Sequence, residues 1–272
     1  MADTPDDLLG AALSRLHLAS TALFRIDANK AQIEGTKHIG AGTFVSVGNH
    51  YGVLTVTHVS DEVAPGSHLG LVIAREGQVH RFEIPRSTLK VTSVASRRTD
   101  EYGPDLSFIS LTDWEGVGTI RASRYFHSLD QDRDDLINTP PDIEDGIWFA
   151  CGTPEERIRF EEDSFGFDRV MSIEVYCGIG GVDPPSERNG FDYIEFPVID
   201  DGPTISTSFK GMSGGGLWQV TIKRSKSGDL ETSRFLLMGT IFFQGVRENG
   251  IRFLRCHGPL SLYKRLIEKL IV

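Results

Sequence analysis

Short apolar runs rich in β-branched and aromatic residues recur along most of the chain, separated by Gly, Pro, Asn and Asp. In the first half they cover 22–26, 38–47, 52–58, 69–74, 79–84, 89–96 and 106–111. In the second half they cover 147–152, 169–176, 193–198, 216–223, 235–243 and 252–255, with 225–228 as a polar hairpin loop. Runs of this length bounded by turn residues predict strands. Their succession predicts an all-β barrel or sandwich. Helical periodicity is confined to the two ends. Residues 5–17 place leucines at helical spacing behind an acidic first turn, and 259–272 repeat the pattern. The first helix is expected to lie on the body, with docking of a partner as the alternative. No repeat at solenoid periods is present.

Two stretches break the pattern. Residues 130–146 crowd seven acidic residues around Pro140-Pro141 and read as a solvated, mobile linker between halves. Residues 155–168 form a charged excursion, read as an exposed loop or as a flap over a cleft. The expected organisation is an N-terminal helix over 1–20, a β unit over 21–129, the linker over 130–146 and a second β unit over 147–272.

Composition narrows the function classes. The chain has 272 residues, 39% hydrophobic and 24% charged, and a net charge of −10. Such a balance suits one or two ordinary globular domains and lacks the basic stripe of a nucleic-acid binder. The N-terminus is acidic where a secretory signal would be basic, and no apolar run reaches the ~20 residues that span a bilayer. A cytoplasmic location, with no membrane or nucleic-acid partner, is the resulting expectation. Cys151, Cys177 and Cys256 are odd in number and widely spaced, so neither a disulfide framework nor a metal site is expected.

Candidate chemistry concentrates in Gly211-Met212-Ser213-Gly214-Gly215-Gly216. Glycines let a backbone turn present a serine hydroxyl while successive N–H groups converge on one point. The same run also fits a plain tight turn before a strand. A histidine, His58, closes the β-branched stretch Thr55-Val56-Thr57, and Asp105 follows Gly103-Pro104 at the start of another strand. The order His58, Asp105, Ser213 is one in which a Ser-His-Asp triad recurs. Each residue alone fits a turn or a polar cap; three in order, 47 and 108 residues apart, point to nucleophilic catalysis.

On these motifs the chain resembles the trypsin-like (chymotrypsin-fold) serine peptidases. The T-A-A-H element of that family appears as Thr55-Val56-Thr57-His58, its D-[LI]-A element as Asp105-Leu106-Ser107, and its G-x-S-G-G element as Gly211 to Gly215. The resemblance implies two successive six-stranded antiparallel β-barrels with short terminal helices. It implies His58 as base, Asp105 as its orienter, Ser213 as nucleophile, and the N–H groups of Gly211 and Ser213 as an oxyanion hole. No cofactor or metal is implied; a protein or peptide substrate is, with room for a regulatory partner. The resemblance also places Thr207 and Ser208 at the base of a specificity pocket, Phe242, Phe243 and Gln244 on its outer wall, and Arg255 and His257 nearby. No carboxylate stands at the base, so Lys and Arg side chains are disfavoured. Two departures stand out: Met212 replaces the aspartate that pairs with a newly cut N-terminus in digestive relatives, and Gly216 replaces a proline. An intracellular endopeptidase is the leading reading. A catalytically silent peptide-binding module on the same scaffold is the alternative.

Overall fold

The computed structural model describes residues 6–27, 29–30, 35–63, 67–75, 78–94, 102–162, 169–198, 208–224, 226 and 230–271. The first half supplies β1 (Ser20–Asp27), β2 (Thr36–Val47), β3 (His50–Thr55), β4 (Ser67–Arg75), β5 (Gln78–Pro85), β6 (Lys90–Ser93), β7 (Ser107–Ser110) and the short β8 (His127–Ser128). They form one sheet in the order β5-β4-β1-β2-β3-β7-β6, antiparallel throughout except for β8, which joins β2 in parallel. The second half supplies β9 (Ile147–Gly152), β10 (Ile158–Glu162), β11 (Arg169–Ile173), β12 (Tyr176–Gly180), β13 (Ser186–Arg188), β14 (Phe191–Val198), β15 (Gly216–Arg224), β16 (Leu230–Val246) and β17 (Arg252–His257). Seven of these make a second antiparallel sheet, β12-β9-β15-β16-β17-β14-β13, and β10 pairs with β11 as a separate ribbon. The chain is thus mostly β, as its pattern predicts. Among the described residues the end strands of each sheet, β5 and β6 or β12 and β13, do not pair with one another, so neither sheet closes.

Strand periodicity explains why the run 41–47 is buried without interruption. Phe44, Val53 and Ile109 point into a core enclosed by the first sheet, whereas Val45, Leu54 and Phe108 point to a core shared with the second. Successive side chains of a strand face opposite ways, and here both faces are buried. The shared core adds Trp148, Phe149, Leu217 and Trp218 from the second sheet. This common packing holds the two halves, and hence their loops, in one arrangement.

Helix α1 (Asp6–Ala19) lies on the body as expected: Ala12, Leu16 and Ala19 form a buried stripe in the shared core. Its Arg15 guanidinium stacks over Tyr125 at 4.5 Å and Phe235 at 4.4 Å. Short helices follow at α2 (Thr57–Ser60), α3 (Val117–Ser123) and α4 (Arg133–Asn138). The chain ends in a π-helical turn, Leu260–Leu266, continued by α5 (Ile267–Ile271).

The linker is exposed along most of its length, as expected, but it is also tied to the body at several points. Helix α4 buries Leu136, and Arg133 Nε donates to Tyr263 O at 2.9 Å. Gln219 Nε2 donates to Asp142 O and Asp145 O, and Trp148 Nε1 to Ile143 O at 2.8 Å. The acidic residues hid this because their side chains take partners from elsewhere, such as Arg234 on Asp132 at 2.6 Å. The excursion after residue 154 becomes a 3₁₀ turn at Glu155–Arg157 and the β10–β11 ribbon, with 163–168 outside the described residues. Beside α4, buried Tyr263 donates to Leu237 O at 3.0 Å and accepts from His127 Nε2 at 3.1 Å. Burial lowers the His127 pKa to about 4. Among the described residues no helix is long and apolar enough to cross a membrane.

Candidate active site

His58 lies within α2 rather than at the end of a strand. Strand β3 stops at Thr55, and one tight turn follows, closed by Ser60 N–H on Val56 O at 3.0 Å. The threonine and serine flanking His58 anchor this turn to the start of β7. Thr57 Oγ1 donates to Leu106 O at 3.1 Å, and Ser60 Oγ to Ser107 Oγ at 3.1 Å. The turn thereby brings His58 against Asp105. One carboxylate oxygen accepts His58 N–H at 3.1 Å and the other accepts Nδ1–H at 2.5 Å. Asp105 is fully buried. A buried carboxylate needs such donors, and gripping both the main chain and the ring fixes the imidazole with Nε2 left as the basic nitrogen.

Behind Asp105 stands His257, a residue that was expected in the specificity pocket. It is fully buried, and its Nε2 accepts Asp105 N–H at 2.9 Å. Burial lowers its pKa to about 4, so it stays neutral and keeps the lone pair that this bond requires. Phe242 stacks on its ring at 4.5 Å and 24°. A bulge in the pairing of β16 with β17, between Ile241 and Phe243, leaves Phe242 as the extra residue.

The serine turn, Phe209 to Gly216, ends where β15 begins. Side chains take the N–H groups of Phe209 and Lys210, and main-chain carbonyls take three more: Met212 by Phe209 O at 3.0 Å, Gly214 by Ile241 O at 2.8 Å and Gly215 by Met212 O at 2.9 Å. Those of Gly211 and Ser213 have no acceptor among the described residues. The Ser213 carbonyl is tied to β2 by Ala41 N–H at 2.8 Å. Positive φ values of 94° at Gly211 and 93° at Gly214 make this path possible. Met212, where the resemblance has a charged residue, is fully buried in the shared core. The turn is therefore held from below by apolar packing instead of an ion pair.

His58, Gly211 and Ser213 line one cleft of about 560 Å³. Phe242, Phe243 and Gln244 line it too, as expected. Gln244 Oε1 accepts Phe209 N–H at 3.1 Å, so its side chain bridges β16 and the serine turn. Ser208 is exposed, its Oγ accepting Lys210 N–H at 3.2 Å, and does not line the cleft; Thr207 lies outside the described residues. Arg255 does not line it either. It is buried, and Glu195 Oε1 takes its Nε and an NH2 hydrogen at 3.0 and 2.8 Å. A guanidinium neutralised in this way is not free to meet a substrate carboxylate.

The cleft also contains residues that the sequence reading missed. Leu254 and Phe209 add apolar wall, and Lys210 with Glu155 forms an ion pair of 2.7 Å on its lining. His38 is the most informative omission. It packs on Phe24 at 5.2 Å, and its Cε1 lies 2.6 Å from where a Cβ on Gly211 would stand. A lone histidine inside a strand carries no motif that could have singled it out. Burial lowers its pKa to about 4. Among the described residues no group of three His, Cys, Asp or Glu is placed to hold a metal ion.

Three histidines kept neutral by burial, His38, His127 and His257, make stability depend on pH. The unfolded chain protonates them near pH 6.5, whereas the folded chain does so only near 4. Stability is therefore complete above pH 6.5 and falls as pH drops towards 4, by up to ~1.4 kcal/mol per pH unit for each fully buried ring. Urea midpoints measured from pH 7 to 4.5 should decline steadily; a flat profile would contradict these environments.

The arrangement combines an imidazole oriented by a buried carboxylate, a serine on the same cleft, and two open N–H groups flanking Met212. Together these can deprotonate a hydroxyl, direct it at a carbonyl and hold the resulting oxyanion. No protein-family model and no curated protein matches the sequence.

Proposed function

We propose that this chain is a serine endopeptidase of the chymotrypsin-like kind, the two sheets being counterparts of that fold's two barrels. The single observation that carries the reading is the two-point grip of buried Asp105 on His58, on a cleft shared with Ser213. In the proposed reaction His58 Nε2 takes the Ser213 proton as Oγ bonds to the substrate carbonyl carbon. The carbonyl oxygen becomes an oxyanion facing the N–H groups of Gly211 and Ser213. His58 then passes the proton to the leaving amine as the C–N bond breaks. Water hydrolyses the acyl-serine ester by the same relay in reverse.

An extended peptide has a natural place to lie. Strand β15 pairs with β16 as far as Gly216 on Thr240, Gly214 and Gly215 continue the pairing to Ile241, and beyond it Phe242, Phe243 and Gln244 line the cleft. A substrate strand can add there. Phe209, Phe243 and Leu254 favour an uncharged side chain, and the lining carboxylates Glu62 and Glu155 are engaged by Lys37 and Lys210. Cleavage after apolar residues is expected in a positional-scanning peptide library. Dominant cleavage after Lys or Arg would overturn this pocket.

One observation favours the non-catalytic alternative: among the described residues the Ser213 hydroxyl has no hydrogen-bond partner, so it is not bonded to His58. Such contacts often tighten only once substrate is bound. Labelling the folded protein with a fluorophosphonate, followed by peptide mapping, separates the two. An adduct on Ser213 supports the enzyme, and an unlabelled serine on folded protein supports a peptide-binding module.

A further inference from the structure

Three groups that take no part in the proposed chemistry meet where α1 crosses the edge of the second sheet. Cys151 on β9 and Cys177 on β12 are direct cross-strand partners. Opposed residues of an antiparallel pair have Cα atoms ~4.5–5.5 Å apart, inside the ~4.4–6.8 Å range that a disulfide spans. Their side chains lie on the same face of the ladder, and His17 of α1 lies beside Cys177. Cys151 is buried, whereas Cys177 is partly exposed and free. Cys177 is thus the less buried of the two, Cys151 stands directly across from it, and a base lies beside it.

We propose that Cys177 and Cys151 are a peroxide-responsive pair, in which Cys177 is oxidised first and Cys151 resolves it into a reversible cross-strand disulfide. The Cys177 thiolate attacks one oxygen of a hydroperoxide, the O–O bond breaks, and the other oxygen leaves and is protonated. Cys177 is then a sulfenic acid. The Cys151 sulfur attacks it, the S–S bond forms as the S–O bond breaks, and the departing hydroxide takes the Cys151 proton as water. With hydrogen peroxide, two thiols lose two electrons and two water molecules form.

The surroundings assign these roles. Burial pushes the Cys177 thiol up, but hydrogen bonds from Cys151 and His17, with the imidazolium charge, outweigh it and hold Cys177 at about 7. Burial pushes Cys151 well above the ordinary thiol range, so it keeps its proton and donates. His17 is raised by its bond to Cys177, against burial; the charges facing it are Arg124, which lowers it, and Glu174, which raises it. Cys256, buried on β17, is pushed up by burial and by Glu195 and serves as an internal control. The chemistry stands whether or not Ser213 is a nucleophile.

The test treats the intact chain with equimolar hydrogen peroxide, then unfolds it in denaturant, blocks remaining thiols with iodoacetamide and maps peptides without reduction. A Cys151–Cys177 disulfide is expected, reversed by dithiothreitol, with Cys256 still alkylated. In Cys151→Ser, Cys177 should be trapped as its dimedone adduct. The pH midpoint of Cys177 alkylation should lie near 7 and rise in His17→Gln, with a slower rate at pH 7 by several-fold or more. Cys177 left fully alkylatable after peroxide, a disulfide involving Cys256, or a midpoint indifferent to His17 would each overturn the proposal. Should Cys151→Ser fail to fold, mapping of the unaltered chain still decides.

Discussion

Ser213→Ala is expected to remove peptide hydrolysis almost entirely, by a factor of about 10⁶ in kcat if the three residues act as one unit, while leaving stability within ~0.5 kcal/mol. The size of the first effect follows from the role proposed for Oγ: without it no acyl-enzyme forms. The smallness of the second follows from the structure, because the hydroxyl has no partner among the described residues that its removal would leave unsatisfied. The turn's own bonds run through main-chain atoms that alanine keeps, such as Ser213 O to Ala41 N–H at 2.8 Å. His58→Ala should lose nearly as much activity but is a poorer test. It leaves the fully buried Asp105 carboxylate without its ring partner, which costs ~1–3 kcal/mol for a buried group that loses a hydrogen-bond partner. Turnover and thermal melting measured together on Ser213→Ala give the clean result. Appreciable hydrolysis by that variant would sink the peptidase reading.

Gly214→Ala should instead destabilise the fold. A Cβ there would stand 2.0 Å from Ala41 O and 2.2 Å from Thr55 Oγ1, two atoms bonded to each other at 2.9 Å. Neither can retreat cheaply, since Ala41 belongs to β2 and Thr55 to β3, both in the sheet's centre. The φ of 93° adds backbone strain. Strain of ~1–3 kcal/mol and displacement of packed neighbours of ~1–3 kcal/mol predict a loss of roughly 2–6 kcal/mol. That is a large fraction of a domain's ~5–15 kcal/mol. Gly48→Ala is the matched control: its φ is also positive, at 54°, but nothing lies within 4 Å. It should cost only ~1–2 kcal/mol. Equal urea midpoints for the two variants would show that the serine turn is not packed as described.

Much of this was legible along the chain because it depends on local rules. Short apolar runs bounded by turn residues marked most strands of both halves, though not β10 or β13, and Ile147–Gly152 was bounded to the residue. Helical spacing marked both ends. The run of glycines around Ser213 foretold a turn that needs positive φ, and the structure has it at Gly211 and Gly214. The spacing of His58 and Asp105 named two residues that do bond.

What the tertiary structure decided is which partner each polar group takes, and no local rule supplies that. Arg255 and His257 read as pocket residues because they close a strand near the cleft. Glu195, from the adjacent β14, claims the guanidinium, and Asp105, 152 positions away, claims the imidazole. The acidic stretch after residue 129 is largely exposed, as read, but the bonds to Tyr263, Gln219 and Arg234 that fix it to the body come from far along the chain. His38 and the Cys151–Cys177 pair carry no motif at all; the packing of the serine turn sets His38 beside Gly211, and strand register sets the two cysteines opposite each other. Turn chemistry and hydrophobic period act within a few residues and survive in the sequence. A buried charge or ring is satisfied by whatever the fold brings from far along the chain, and only the folded arrangement says what that is.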